Sequence, residues 1–169
     1  MKKSSRGFSL IELLIVVAII LIIAAIAIPN LLRSRIAANQ ASAVGSLRTL
    51  NTAEVTYATT YNTGYSSTLG DLGPAGGTPV ATAAGLVDEV LSGSAAGGPT
   101  AMSSSKSGYT FTYTPGGTDT SNKINTYSFT ATPISVGTTG TNYYYTDQSG
   151  VIRQNSTAVA GSTDSPLAG

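Results

Sequence analysis

The chain of 169 residues contains no cysteine, no histidine and no tryptophan. Without cysteine there is no disulfide and no thiolate metal site. Without histidine the commonest metal ligand and the usual general base are both missing. Charge is scarce as well: 10% of residues are charged and the net charge is +1. Such a balance builds no basic face, so a specific nucleic-acid partner is not expected. Serine, threonine and glycine crowd the chain after residue 60. The exterior they predict is polar, uncharged and small in side chain, with little titratable chemistry for catalysis. No enzyme activity, no cofactor and no metal are expected.

What the chain does have is a long apolar run near its start. Met1–Gly7 reads MKKSSRG and carries Lys2, Lys3 and Arg6. Phe8–Ile28 follows, and from Leu13 to Ile28 every residue is Leu, Ile, Val or Ala. A helix of that length spans about 30 Å, the thickness of a bilayer's hydrocarbon core. Basic residues before the run hold that end on the cytoplasmic side. One residue breaks the pattern. Glu12 puts a carboxylate among hydrocarbon side chains, at a cost of about 2.5–3.5 kcal/mol on insertion scales.

Three readings compete for this segment. A secretory signal has a shorter apolar core and a small-residue cleavage site after it; here the run ends in IAIPNLLRSR. A lipoprotein signal requires a cysteine. A plain transmembrane anchor explains the apolar run and the basic flank, but not Glu12.

The stretch RGFSLIELLIVVAIILIIAAIAIPNLL resembles the type III signal of type IV pilins and pseudopilins. The close resemblance covers roughly residues 1–61. It implies that residues 1–7 are a leader, cut between Gly7 and Phe8 by a prepilin peptidase that also N-methylates Phe8. It further implies that Glu12 serves assembly and that Pro29 bends the helix. Physics supplies a reason for Glu12 once the cut is granted. Cleavage frees an α-amine at Phe8 in apolar surroundings, where amine and carboxylate attract and offset each other's burial. The amine of an incoming subunit can meet the Glu12 of a neighbour and set the register of a fibre. The alternative is a Glu12 that snorkels to the headgroups.

Pro29 lacks an amide hydrogen and frees the carbonyl of Ala25, so a helix ends or kinks there. Continuation with a kink is expected, because no further proline occurs until Pro74. Residues 8–29 then form the transmembrane or filament-core helix and 30–61 an amphipathic helix. Leu32, Ile36, Ala43, Leu47, Leu50, Tyr57 and Tyr61 share one arc, widened by Val44, Val55 and Ala58. Arg35, Ser42, Ser46 and Thr49 lie largely opposite. Glu54 falls inside the apolar arc, with no partner legible in the sequence.

Residues 62–107 read as a connecting loop region with a short helix near 83–91. Residues 108–169 read as an antiparallel sheet and a polar tail. Tyr109, Phe111 and Tyr113 alternate with threonines, as do Tyr127, Phe129 and Ala131 with Ser128, Thr130 and Thr132. NYYYTDQSGVIRQ predicts a hairpin turning on Asp147–Gly150, and YTDQSGVIR resembles the last hairpin of many major pilins. The expected fold is α+β: a long kinked N-terminal helix packed on a three- to four-stranded antiparallel sheet, the type IV pilin fold.

Other candidate chemistry is thin. Ser103–Lys106 matches S-x-x-K without the companion motifs of that enzyme class. Asp71, Asp88, Glu89 and Asp119 lack calcium-loop spacing and read as solvated surface. The tyrosines read as core rather than as an electron path. Asn155 heads a lone N-S-T sequon.

The resemblance implies a structural subunit of a type IV pilus-like filament. Its partners are then copies of itself, the prepilin peptidase/N-methyltransferase, the pilus assembly machinery and the bacterial inner membrane before assembly. The alternative within the family is a pseudopilin of a type II secretion system. Outside it, the alternative is a monomeric membrane-anchored binding domain.

Overall fold

The computed structural model describes residues 8–93 and 101–167. The expected leader, Gly7 included, lies outside them. Two compact units are distinguished, residues 1–35 and residues 36–169. One helix, α1 (Leu10–Tyr61), contributes to both. Its first part is rich in Ile and Val, which are indifferent helix formers. In lipid, however, a helix satisfies every backbone polar group internally, and this outweighs weak propensity. The helix continues through Pro29.

In the second unit, α1 buries Ala43, Val44, Leu47, Leu50, Ala53 and Tyr57. The predicted arc is confirmed at its centre and corrected at its edges. Val55 and Leu32 are exposed, while Ser46 and Glu54 are buried. These side chains form one core with Tyr109, Phe111, Tyr113, Tyr127, Phe129, Ala131 and Tyr144 of the sheet. Burying a large apolar side chain stabilises by about 1.5–3 kcal/mol, so this core is the main source of stability. Polar contacts fix the helix on the sheet. Asn51 Nδ2 donates to Thr146 Oγ1 at 2.8 Å, and Tyr127 OH donates to Asn51 Oδ1 at 3.1 Å.

The sheet has five strands, in the order β1 (Ser103–Lys106), β2 (Tyr109–Pro115), β3 (Tyr127–Pro133), β4 (Tyr143–Asp147) and β5 (Arg153–Asn155). Every neighbouring pair is antiparallel. The sequence expectation was three or four strands. The added strand is β1, four residues of Ser and Lys inside the stretch read as loop. Its sequence has no aromatic alternation. It becomes a strand because Ser103–Lys106 pairs with Tyr109–Thr112. The expected alternation holds in β2 and β3, whose aromatic residues point inward, with Thr112 and Thr114 exposed. The last hairpin also forms as read. Gly150 has φ 73°, and its N–H donates to the Asp147 carbonyl at 2.9 Å.

Two local expectations are corrected. The short helix is α2 (Glu89–Ser92), capped by Asp88, rather than 83–91. The preceding residues run as irregular backbone held by Ala84 N–H to Asp71 O and Leu86 N–H to Leu72 O, at 2.8 and 2.9 Å. These bonds compete successfully with a helix. The tail is also more than a polar end. Gln154 N–H donates to Ser165 O at 3.0 Å and Leu167 N–H to Ile152 O at 2.8 Å. Asp164 accepts from Asn155 Nδ2 at 2.9 Å and from Gly161 N–H at 2.8 Å. The segment thereby covers the β5 edge, a stretch of backbone that otherwise invites pairing with another chain.

Candidate assembly segment

The first turns of α1 bring together Phe8, Ser9 and Glu12. Phe8 precedes the helix and is 79% exposed. The Glu12 carboxylate turns back along its own chain, and its Oε2 accepts the Ser9 N–H at 2.9 Å. Leu13 N–H donates to the Ser9 carbonyl at 3.2 Å and closes the first turn. Ser9 therefore stands where a capping residue stands, with Glu12 three positions on, as in the Glu half of a capping box. The carboxylate also lies at the positive end of the helix dipole. Ser9 was not singled out from the sequence. The S-x-x-E pattern of Ser9–Glu12 is the signal that reveals it.

Beyond this turn the segment is bare hydrocarbon. Leu10, Ile11, Leu13, Leu14 and Ile15 are exposed, and so are most large apolar residues on to Leu32. α1 is long and apolar enough to cross a membrane, and none of its most apolar stretch is buried. An apolar surface this large on a water-soluble monomer marks a site for lipid or for another protein. Glu12 is the only charged residue between Leu10 and Leu32. Pro29 lies seventeen residues further along the same helix, about 25 Å by helical rise. The two therefore lie at separate places along the helix, not in one cluster. Just past Pro29, Ser34 Oγ donates to the Asn30 carbonyl at 3.0 Å.

Most of the remaining candidate residues have structural partners. Lys106 of the S-x-x-K match is bonded to Asp88 Oδ2 at 2.6 Å, which holds the Asp88 carboxyl below its ordinary range. Asp71 accepts from Ser67 and Thr68 and caps a 3-10 turn, Leu69–Leu72. Asp119 closes its own loop, accepting from Lys123 and Ser121 N–H and from Asn125. Among the described residues no group of three or more acidic, His or Cys side chains is placed to hold a metal ion. Asn155 Nδ2 is engaged by Asp164, and Asn155 Oδ1 accepts from Thr157 and Ala158. Burial pushes Tyr109 up to about 12 and raises Tyr113 and Tyr127 as well. These tyrosines stay neutral at physiological pH and serve as core.

Residues 2–28 match the family described as the prokaryotic N-terminal methylation motif. The type IV major pilin protein PilA of Myxococcus xanthus is 51% identical over 53 residues, which cover 31% of this chain and 24% of that protein. The type IV wide pilus major component PilA4 of Thermus thermophilus is 62% identical over 37 residues, covering 22% of this chain and 28% of that protein. The chain thus spans about a quarter of the length of these two relatives. No solved structure matches it. On the segment that carries Phe8, Ser9 and Glu12, the chain bears the prokaryotic N-terminal methylation motif and is similar to the major components of type IV pili.

Proposed function

We propose that the chain is a structural, non-catalytic subunit of a type IV pilus-like filament. Its precursor is cut between Gly7 and Phe8, N-methylated on Phe8, and polymerised through its amino-terminal helix. The observation that carries this reading is the exposed apolar stretch from Leu10 to Leu32 with Glu12 as its only charge. Such a surface needs two coverings in turn. Before assembly it lies in the bacterial inner membrane, with the amino terminus cytoplasmic; afterwards it lies among other copies of itself in an extracellular fibre. The prepilin peptidase/N-methyltransferase and the pilus assembly machinery act on it between the two states. A pseudopilin of a type II secretion system shares the first segment. The similarity to two major pilus components favours the filament subunit.

The processing step has a direct test. Gly7→Val puts a branched side chain next to the bond to be cut, and full-length chain should accumulate in the membrane fraction. Mass spectrometry of wild-type sheared surface filaments should find the subunit beginning at a methylated Phe8. Surface subunit that begins at Met1 would overturn the reading.

Pro29 is assigned the bend. Pro29→Ala restores the hydrogen bond to the Ala25 carbonyl and removes a ring clash, together about 3 kcal/mol in favour of straight helix. The expected result is fewer filaments or a changed subunit rise. An unchanged rise and an unchanged helix path in a filament map would remove Pro29 from the assembly mechanism.

A further inference from the structure

The residue left without a partner by sequence reasoning, Glu54, has one in the structure, and it is not a cation. Its side chain is fully buried, at 0% exposure. Its Oε2 accepts the Ser66 N–H at 3.0 Å, and its Oε1 accepts the Ser66 hydroxyl at 2.6 Å. Tyr113 OH donates to the Ser66 carbonyl at 2.6 Å. Ser66 is itself fully buried, so every polar atom of this serine is held by α1 or β2. One residue earlier, Tyr65 N–H donates to Ile124 O at 2.8 Å. The chain leaving α1 is thus tied down at two successive residues, and one of the ties is a carboxyl group.

The titratable groups facing Glu54 are Tyr113 from β2, Asp71 from the 3-10 turn, Tyr127 from β3 and Tyr57 from its own helix. None of them carries positive charge. Among the described residues the one salt bridge is Lys106–Asp88. A buried carboxylate with no cation is costly, and burial favours its neutral form. Burial accordingly raises the Glu54 pKa, the Ser66 bonds and the Tyr113 hydroxyl oppose the shift, and Asp71 adds to it.

We propose that Glu54 and Ser66 form a proton-controlled latch that holds the segment after α1 against the helix–sheet core, closed when Glu54 is protonated and loosened when it ionises. The protonated acid keeps the Ser66 contacts without burying a charge. The ionised acid gains the same contacts only by staying dehydrated beside Asp71. Opening the Ser66 segment rehydrates it, so ionisation shifts the balance toward the open form. The direction is the reverse of that for the exposed Asp88 and Asp119, whose lowered pKa values contribute stability above the ordinary carboxylate range and lose it as pH falls. For Glu54, with its folded pKa raised, the contribution is complete below about pH 4.3, the ordinary glutamate value, and is lost as pH rises through the folded pKa.

The test is amide hydrogen exchange on the full chain in detergent micelles between pH 4 and pH 9, corrected for intrinsic exchange. In the wild type, protection at Ser66 should fall by up to tenfold per pH unit between about pH 4.3 and the Glu54 midpoint and level off above it, as one linked proton requires. Glu54→Gln keeps a carbonyl acceptor and cannot ionise, and its Ser66 protection should be flat over the same range. Parallel profiles for the two proteins would overturn the latch. Should the variant fail to fold, the carboxyl carbon of Glu54 in the wild type decides by NMR titration. A midpoint above the ordinary value of about 4.3, coincident with the end of the loss of Ser66 protection, supports the latch; a midpoint at or below it overturns it.

Discussion

Glu12→Val is expected to leave cleavage intact and to abolish fibres. The substitution removes a costly charge from the apolar run, so the subunit should insert in the membrane at least as well as the wild type. The proposed cut lies between Gly7 and Phe8, on the hydrophilic side, and should proceed. Polymerisation should fail, because the Phe8 amine of each incoming subunit would be buried without a counter-charge. Breaking a buried pair by deleting one partner costs about 3–5 kcal/mol, which is more than a hundredfold in an association constant. The bond from Ser9 N–H to Glu12 makes one substitution insufficient. Glu12→Val also deletes a helix-capping acceptor, itself a loss of about 0.5–2 kcal/mol. Glu12→Gln separates the two roles, since it retains an acceptor for Ser9 and discards the charge. If pairing drives assembly, both variants accumulate processed subunit in the membrane with few fibres in the sheared fraction. If Glu12 merely caps its helix, Glu12→Gln restores fibre yield. Wild-type yield from both would sink the pairing model.

Gly64→Ala is expected to destabilise the second unit by several degrees in melting temperature. Gly64 has φ 84°, where an L side chain costs about 1–2 kcal/mol. A Cβ there would also lie 2.4 Å from the Ile124 carbonyl oxygen, which is backbone and has little room to move. That same carbonyl receives the Tyr65 N–H, so displacing it loosens the chain next to Ser66 as well. For a unit of this size each kcal/mol lowers the melting temperature by about 4 °C. A fall of at least about 5 °C is expected. Gly117→Ala is the control, since its Cβ would have no neighbour within 4 Å. A Gly64→Ala protein that melts with the control would show that the close approach to Ile124 is not maintained in solution.

The amino-terminal helix was legible in the sequence, because the signals for it are local. An apolar run of bilayer length, one carboxylate and one proline are read from neighbouring letters, and hydrocarbon on all sides leaves the backbone no alternative to a helix. The β2–β3 alternation and the Asp147–Gly150 turn were legible for the same reason: a period of two and a glycine at positive φ are short-range signals. Ser9 was missed, although its spacing to Glu12 is a signal of the same short range. The partners of residues distant in sequence were not legible. Ser103–Lys106 has no strand pattern of its own and is a strand only because β2 lies beside it. The residues before α2 give up their helix to carbonyls of the 3-10 turn. Asp164 secures the tail through Asn155 and Gly161, contacts that composition does not foreshadow. Glu54 shows the division most sharply. Its place on the apolar arc followed from helical periodicity alone. That it would be satisfied by a serine hydroxyl and amide twelve residues away, and by no arginine or lysine, depended on how the chain turns after Tyr61. Only the packing of helix, loop and sheet determines which donor is left facing a buried carboxylate.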